Sequence, residues 1–405
     1  MEVVLSELET LAVGLSALVV ATAFLRKMPL LARLNVPMPV IGGVLVALLA
    51  AALHAGADVT LRFGGNLVSF FLLMFFTTVG LSAKFSALKK GGRPLAILCA
   101  VTVLLLVAQN VVGIAVASAV GAHPIYGLLI GSISFVGGPG TAAAWAKEAQ
   151  GMGLAAAPEV AVGAATLAVV FGAIVSGPVT AWLIRRQQLR GPEGQTTASW
   201  VAPENTRPVG TPRPDATPAS TTIMVLLLVV VAILLGDLAN AWARGAGLVL
   251  PGFLTAMLAG AAITNAADLF GKELELAAIE RGGELALQVF LVMYLMSLKL
   301  WTLGAAIGPL LANLVIQVVV TVLVGVFVLY RWLGRDYDAA VTVGGFLGFG
   351  LSSMPVAMAT MDSVALRYGP SPKAFLLIAL AGSFFVDLAN AFIVKAFMAL
   401  PMFGA

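Results

Sequence analysis

Residues 131–142 read GSISFVGGPGTA, and residues 344–355 read GGFLGFGLSSMP. Each stretch sets glycines, small hydroxyl residues or a proline inside an otherwise apolar segment, 124–146 in the first case and 339–361 in the second. Glycine reaches backbone angles that other residues avoid and proline removes an amide donor, so neither stretch suits an unbroken helix. A displacement of 213 residues lays one stretch on the other. A displacement of 219 lays FFLLMFFTTVGL (70–81) on VFLVMYLMSLKL (289–300). Two halves with elements in the same order mark an internal repeat.

The composition decides the solvent. Of 405 residues, 60% are hydrophobic and only 10% charged, and the mean hydropathy is +1.03. Soluble proteins carry about 25% charged residues, so a soluble enzyme, a disordered regulator and a small disulfide scaffold are excluded. The single cysteine, Cys99, allows no intrachain disulfide. Apolar runs long enough to cross a bilayer fall at 5–25, 38–54, 65–82, 94–120 and 158–184, then at 222–243, 247–265, 285–301, 306–330 and 374–399. The expected fold is an all-α polytopic membrane protein of two repeats. Each repeat has five transmembrane helices, with a re-entrant Gly-rich hairpin between its fourth and fifth spans. Five is odd, so the second repeat runs inverted, the architecture of secondary transporters. The expected domains are an N-terminal transmembrane repeat (1–184), a cytoplasmic Pro-rich linker (185–220) with six prolines, and a C-terminal inverted repeat (221–405).

Charge sets the orientation. With the N-terminus outside and both hairpins re-entrant, eighteen of the 23 lysines and arginines lie on the inside, as the positive-inside rule requires. The net charge of +4 is spread along the chain rather than gathered into a groove, so no nucleic-acid partner is expected. Glu2, Glu7 and Glu9 replace the basic start of a signal peptide, so the first apolar run is expected to remain as a span.

Irregular backbone at membrane depth is tolerated only where it lines a protein-covered or watered cavity. The breaks are therefore the candidate binding site. In the first, Gly137, Gly138 and Gly140 precede Thr141, which opens an Ala-rich helical run. In the second, Gly350, Ser352, Ser353, Met354 and Pro355 do the same, with Ser352 and Ser353 as cap candidates. Two positive helix ends facing each other suit a substrate with two anionic ends, such as a dicarboxylate. The competing reading is that small residues here merely permit close helix packing. An Asp within a span is costly, and Ser383, Asp387 and Asn390 share one face of the last span, so this face is assigned to a coupling sodium ion or proton. Asn313, Gln317 and Thr321 form a second polar face and Gln109 with Asn110 a third; both read as glue between helices. His54 and His123 are placed in loops, and no metalloprotease, phosphate-loop or paired-nucleophile pattern occurs, so no enzyme is expected.

VGGPGTAAAW (136–145), SLKLW (297–301), DYDAAV (336–341), GFGLSSMPVAMATM (348–361), RYGPSPKAF (367–375) and FFVDLANAFIVK (384–395) together resemble the bacterial sodium/glutamate symporters over essentially the whole chain. The resemblance implies sodium-driven uptake of glutamate, with sodium as the coupled ion. It also implies an inner-membrane location, both termini periplasmic, a homodimer, and an elevator-like motion of a domain holding both hairpins. The pattern departs at Val136, Pro139 and Phe346, where family members commonly carry a small polar residue, a histidine and a histidine. A related acidic amino acid or dicarboxylate stays open as cargo. So does a sodium or proton antiporter of the same design, with Asp387 as the exchanging carboxylate.

Overall fold

A chain in hydrocarbon finds no water for its amide groups and must pair them within each segment, which favours helix throughout. The computed structural model describes residues 2–27, 37–88, 91–189, 219–245, 250–272, 274–299 and 307–403. Most of the expected linker, 190–218, lies outside them. The described chain is helical apart from turns and two short parallel strands, β1 (Glu2–Val4) and β2 (Thr60–Arg62), joined in register Val3 to Leu61. Seven of its helices are long and apolar enough to cross a membrane, which makes the protein a multi-pass membrane protein.

The chain divides into two compact units. The first takes residues 1–32, 36–87 and 213–303, and so draws on both halves of the sequence. It contains α1 (Glu7–Lys27), α2 (Met38–Ala57) and α3 (Asn66–Leu81), then α4 (Phe85–Leu88), which runs to the unit's edge. Pro37 holds the N-cap position of α2, in keeping with the preference for proline at helix starts. Glu7 accepts the Asn66 and Leu67 amides at 3.0 and 3.1 Å and so satisfies the free N-terminus of α3.

The second half of the chain adds its own first three spans to this unit, with α5 (Gly92–Ala119), α6 (Pro124–Leu129), α7 (Ser132–Phe135), α8 (Gly138–Gly151) and α9 (Ala157–Arg186) intervening in sequence. These spans are α10 (Ala219–Gly245), α11 (Gly252–Leu269) and α12 (Leu276–Met296). A Cβ on Gly80 of α3 would fall on the Met257 carbonyl, and one on Gly260 of α11 would lie 2.7 Å from the Thr77 carbonyl. α3 and α11 thus cross backbone to backbone, the close approach that small residues allow in membranes. α12 begins at Leu276, ahead of the expected 285. Its first turns carry Glu280 and Arg281, which hide an apolar face; Ala278 and Ile279 pack with Met74 and Val225.

The second unit comprises residues 33–35, 88–212 and 304–405. Here α5 to α9 join α13 (Ile307–Leu323), α14 (Tyr337–Leu351), α15 (Met354–Tyr368), α16 (Pro372–Leu380) and α17 (Val386–Met398). A π-helical segment (Val324–Leu329) extends α13, and a second (Ala381–Phe385) joins α16 to α17 into one long span. The core of this unit gathers Leu98, Leu105 and Leu106 of α5 with Phe346 and Phe349 of α14 and Phe375 and Ile378 of α16. His54 lies in the last turn of α2 rather than in a loop, its Nδ1 at 3.2 Å from Thr60 Oγ1; His123 sits before α6 and accepts the Ile125 amide.

Candidate functional site

Both Gly-rich stretches break their helices. In the first, α7 ends at Phe135, Val136 and Gly137 turn, and α8 starts at Gly138. The expected start at Thr141 is therefore one turn late. Gly138 makes the turn with φ of +68°, in the left-handed region where a side chain would be strained. Pro139 occupies the first turn of α8, and no side chain caps the helix. Thr141 is buried, its Cβ 2.6 Å from where a Gly137 Cβ would stand, so Gly137 keeps that contact open.

The second stretch breaks at Ser352 and Ser353, between α14 and α15. Ser353 holds the N-cap position in extended backbone, and its carbonyl receives the Ala357 amide at 3.1 Å. Its side chain caps nothing; Ser353 Oγ lies 3.4 Å from Ser352 Oγ instead. Ser352 closes the preceding helix rather than opening the next. Pro355 lies in the first turn of α15 and is exposed, as Pro139 lies in that of α8. Each break thus precedes a helix whose first amides have neither an intrahelical acceptor nor a side-chain cap.

The two breaks meet. A Cβ on Gly138 would lie 2.8 Å from the Ser352 carbonyl oxygen and 3.6 Å from Ser353 Cβ. Two uncapped N-termini, each with the positive end of a helix dipole, therefore stand side by side. Met354 is placed differently: its sulfur occupies the space a Gly382 side chain would fill, so it packs on the last span.

Polar side chains read from the sequence as helix glue turn out to hold this broken backbone. Gln109 Nε2 donates to the Gly350 carbonyl at 2.8 Å and to Thr321 Oγ1 at 3.1 Å. Asn313 Nδ2 donates to the Ile130 carbonyl at 2.7 Å, and Gln317 Nε2 to the Gln109 carbonyl at 2.8 Å. Asn110 Oδ1 accepts the Ser132 amide at 3.0 Å. A break leaves carbonyls and amides that hydrocarbon cannot satisfy, and Gln109, Asn313 and Asn110 supply partners, while Gln317 joins α13 to the unbroken α5 as glue between helices. A polar face inside a long apolar span was the available signal; which carbonyl it serves was not.

Asn390 also reaches the first break. Its Oδ1 lies 2.6 Å from Ser132 Oγ and its Nδ2 donates to the Ser132 carbonyl at 3.2 Å. Ser132 Oγ is in turn 2.9 Å from Asn110 Oδ1, so three buried oxygens share a single hydroxyl proton. Gln109 Oε1 and Gln317 Oε1 are buried and have no hydrogen-bond partner among the described residues. Their amides cannot flip, because each Nε2 is committed to a backbone carbonyl. Asp387 shares the Asn390 face of α17, and among the described residues no group hydrogen-bonds or ion-pairs with its carboxylate. The Ser383 side chain lies outside the described residues.

The chain has known relatives. The family model described as sodium/glutamate symporter matches residues 3–370. A curated sodium/glutamate symporter of Haemophilus influenzae is 38% identical over 397 residues, 96% of either chain. The sodium/glutamate symporters of Escherichia coli and Shigella flexneri are each 35% identical over 406 residues, 99% of either chain. An identity of this size, held from end to end of a helical membrane chain, places the protein among transporters rather than enzymes: it belongs to the sodium/glutamate symporter family.

Proposed function

We propose that the protein is a sodium-coupled symporter that imports glutamate, or a closely related acidic amino acid or dicarboxylate, across the bacterial inner membrane. The observation that carries this reading is the meeting of the two breaks at Gly138 and Ser352. The cargo carboxylates are held there by the free amides and dipoles of α8 and α15, lined by Gly137, Gly138, Gly140 and Thr141 on one side. Gly350, Ser352, Ser353 and Pro355 line the other, and Met354, assigned to the same site by its place in the break, packs its side chain against Gly382. Sodium binds beside Asp387 and Asn390, and Ser383 is assigned to the same site. The oxygen-rich surroundings of Ser132 support that placement, since a hard cation favours oxygen ligands and tolerates a proton-poor cluster.

The architecture belongs to the same proposal. Residues 1–184 and 221–405 form two inverted repeats of five spans, each with a re-entrant hairpin, joined by the cytoplasmic linker 185–220. Both termini are periplasmic, and two copies pair as a homodimer. Each compact unit draws on both halves of the chain, three spans from each for the first and the remainder for the second. That division supports an elevator motion in which the unit holding both breaks moves as a body.

The test is uptake of radiolabelled glutamate into proteoliposomes. An inward sodium gradient is expected to drive accumulation that potassium does not, and Asp387→Asn is expected to abolish the sodium dependence. Accumulation indifferent to sodium, or full sodium dependence in Asp387→Asn, contradicts the reading. Sodium flux without glutamate movement identifies an antiporter instead.

A further inference from the structure

A second polar feature lies in the same unit, away from the breaks. Between α9 and α15 runs a cavity of about 450 Å³, a size that accommodates a small organic ligand. Its wall on α9 is Ala173, Gly177 and Ala181, at spacing four, and the next member of that row is Arg185. Its wall on α15 is Ala359 and Ser363, and the next member of that row is Arg367. Small residues at spacing four normally bring membrane helices together. Here two such rows leave a slot open, and both end in an arginine.

The chemistry along the slot has one sign. Arg185 Nε donates to the Ala181 carbonyl at 3.2 Å, which holds the guanidinium beside the row and leaves its other N–H groups for a ligand. Neither Arg185 nor Arg367 pairs with a carboxylate among the described residues, and no acidic residue lines the cavity. On the wall of the slot Thr360 Oγ1 lies 2.8 Å from Ser176 Oγ. Ser176 gives its own proton to the Gly172 carbonyl, so Thr360 is the donor of the pair. One turn further along α9, a Cβ on Gly172 would lie 2.9 Å from Ser352 Cβ. The slot therefore starts at Ala173, next to the glycine that meets the second break, and runs about 18 Å along α9 to the arginines, with the hydroxyl pair beside it.

We propose that this slot is the inward release vestibule for the anionic cargo, with Arg185 and Arg367 as its carboxylate-binding pair and Thr360 as a hydroxyl on its wall. The proposal rests on the symport reading and adds a second anion site to it. Guanidinium groups bind carboxylates through paired, charge-assisted hydrogen bonds. Two of them at the mouth of a small-walled slot suit a cargo with two carboxylates leaving the breaks. A lipid phosphate would meet the same guanidiniums, and the lipid composition of the test separates the two sources.

The test uses the full chain in a Cys99→Ala background with Ala359→Cys as the only thiol, reconstituted in phosphatidylcholine vesicles with sodium present. Glutamate is expected to slow maleimide labelling of this thiol. In the added Arg185→Gln/Arg367→Gln variant, the glutamate concentration giving half protection is expected to rise about tenfold or more. Arg185→Lys/Arg367→Lys, which keeps the charge and loses the fork, is expected to fall between. Absence of protection, an unchanged half-protection concentration in the Gln variant, or protection confined to vesicles containing phosphatidylglycerol would overturn the vestibule. Sodium-driven uptake by the wild-type chain is read in parallel. If the wild type takes up glutamate while the thiol is unprotected, the vestibule fails alone; if it takes up none, the symport reading fails first.

Discussion

At the scale of single residues, the breaks stand on a few atoms. Gly138 turns in the left-handed region with the Ser352 carbonyl where its side chain would be. Gly138→Ala is therefore expected to cost at least about 1–2 kcal/mol from backbone strain alone, with the steric overlap in addition. Its thermal unfolding in detergent should come at a lower temperature than wild type, and unchanged unfolding would mean that the turn is not tight. Gln109 is the counterpart on the other break. Gln109→Leu keeps the apolar stem, removes the donor to the Gly350 carbonyl and leaves that oxygen buried without a partner, a loss of about 1–3 kcal/mol. The same melting experiment reads it.

The element scale shows how much the sequence carries and where it stops. The two broken segments, their prolines and their helical second arms follow from duplicated glycine clusters, because proline and glycine punctuate a helix locally. The function of the amide side chains does not follow in the same way. Gln109, Asn313 and Gln317 announce a polar face by their spacing, yet their acceptors, Gly350, Ile130 and the Gln109 carbonyl, are far away in sequence. The start of α12 was hidden for a related reason: charged residues interrupt the apolar run while Ala278 and Ile279 still bury on one face. Helix crossings are also set by the fold rather than by local pattern. α3 and α11 approach at Gly80 and Gly260, so Gly80→Val is expected to force them apart at a cost of about 1–3 kcal/mol. Limited proteolysis of the reconstituted protein should then cut the α3–α4 region faster than in wild type; equal rates would show that the crossing adapts.

For the whole molecule the issue is coupling. A symporter needs the ion and the cargo to favour the same state, so each must tighten the other by the same factor. One compact unit holds the groups on which the proposed coupling rests: two helix starts without side-chain caps, the oxygen cluster at Ser132, and an Asp387 carboxylate that pairs with no group among the described residues. Under the proposed assignment, Asp387 and an anionic cargo repel unless a cation lies between them, which gives sodium a physical reason to tighten cargo binding. The most direct measurement is calorimetric titration of glutamate into the purified protein in sodium and in potassium at equal ionic strength. Sodium is expected to tighten glutamate binding by about tenfold or more, with glutamate tightening sodium by the same factor. Equal glutamate affinity in the two salts would contradict a coupled site at the meeting breaks.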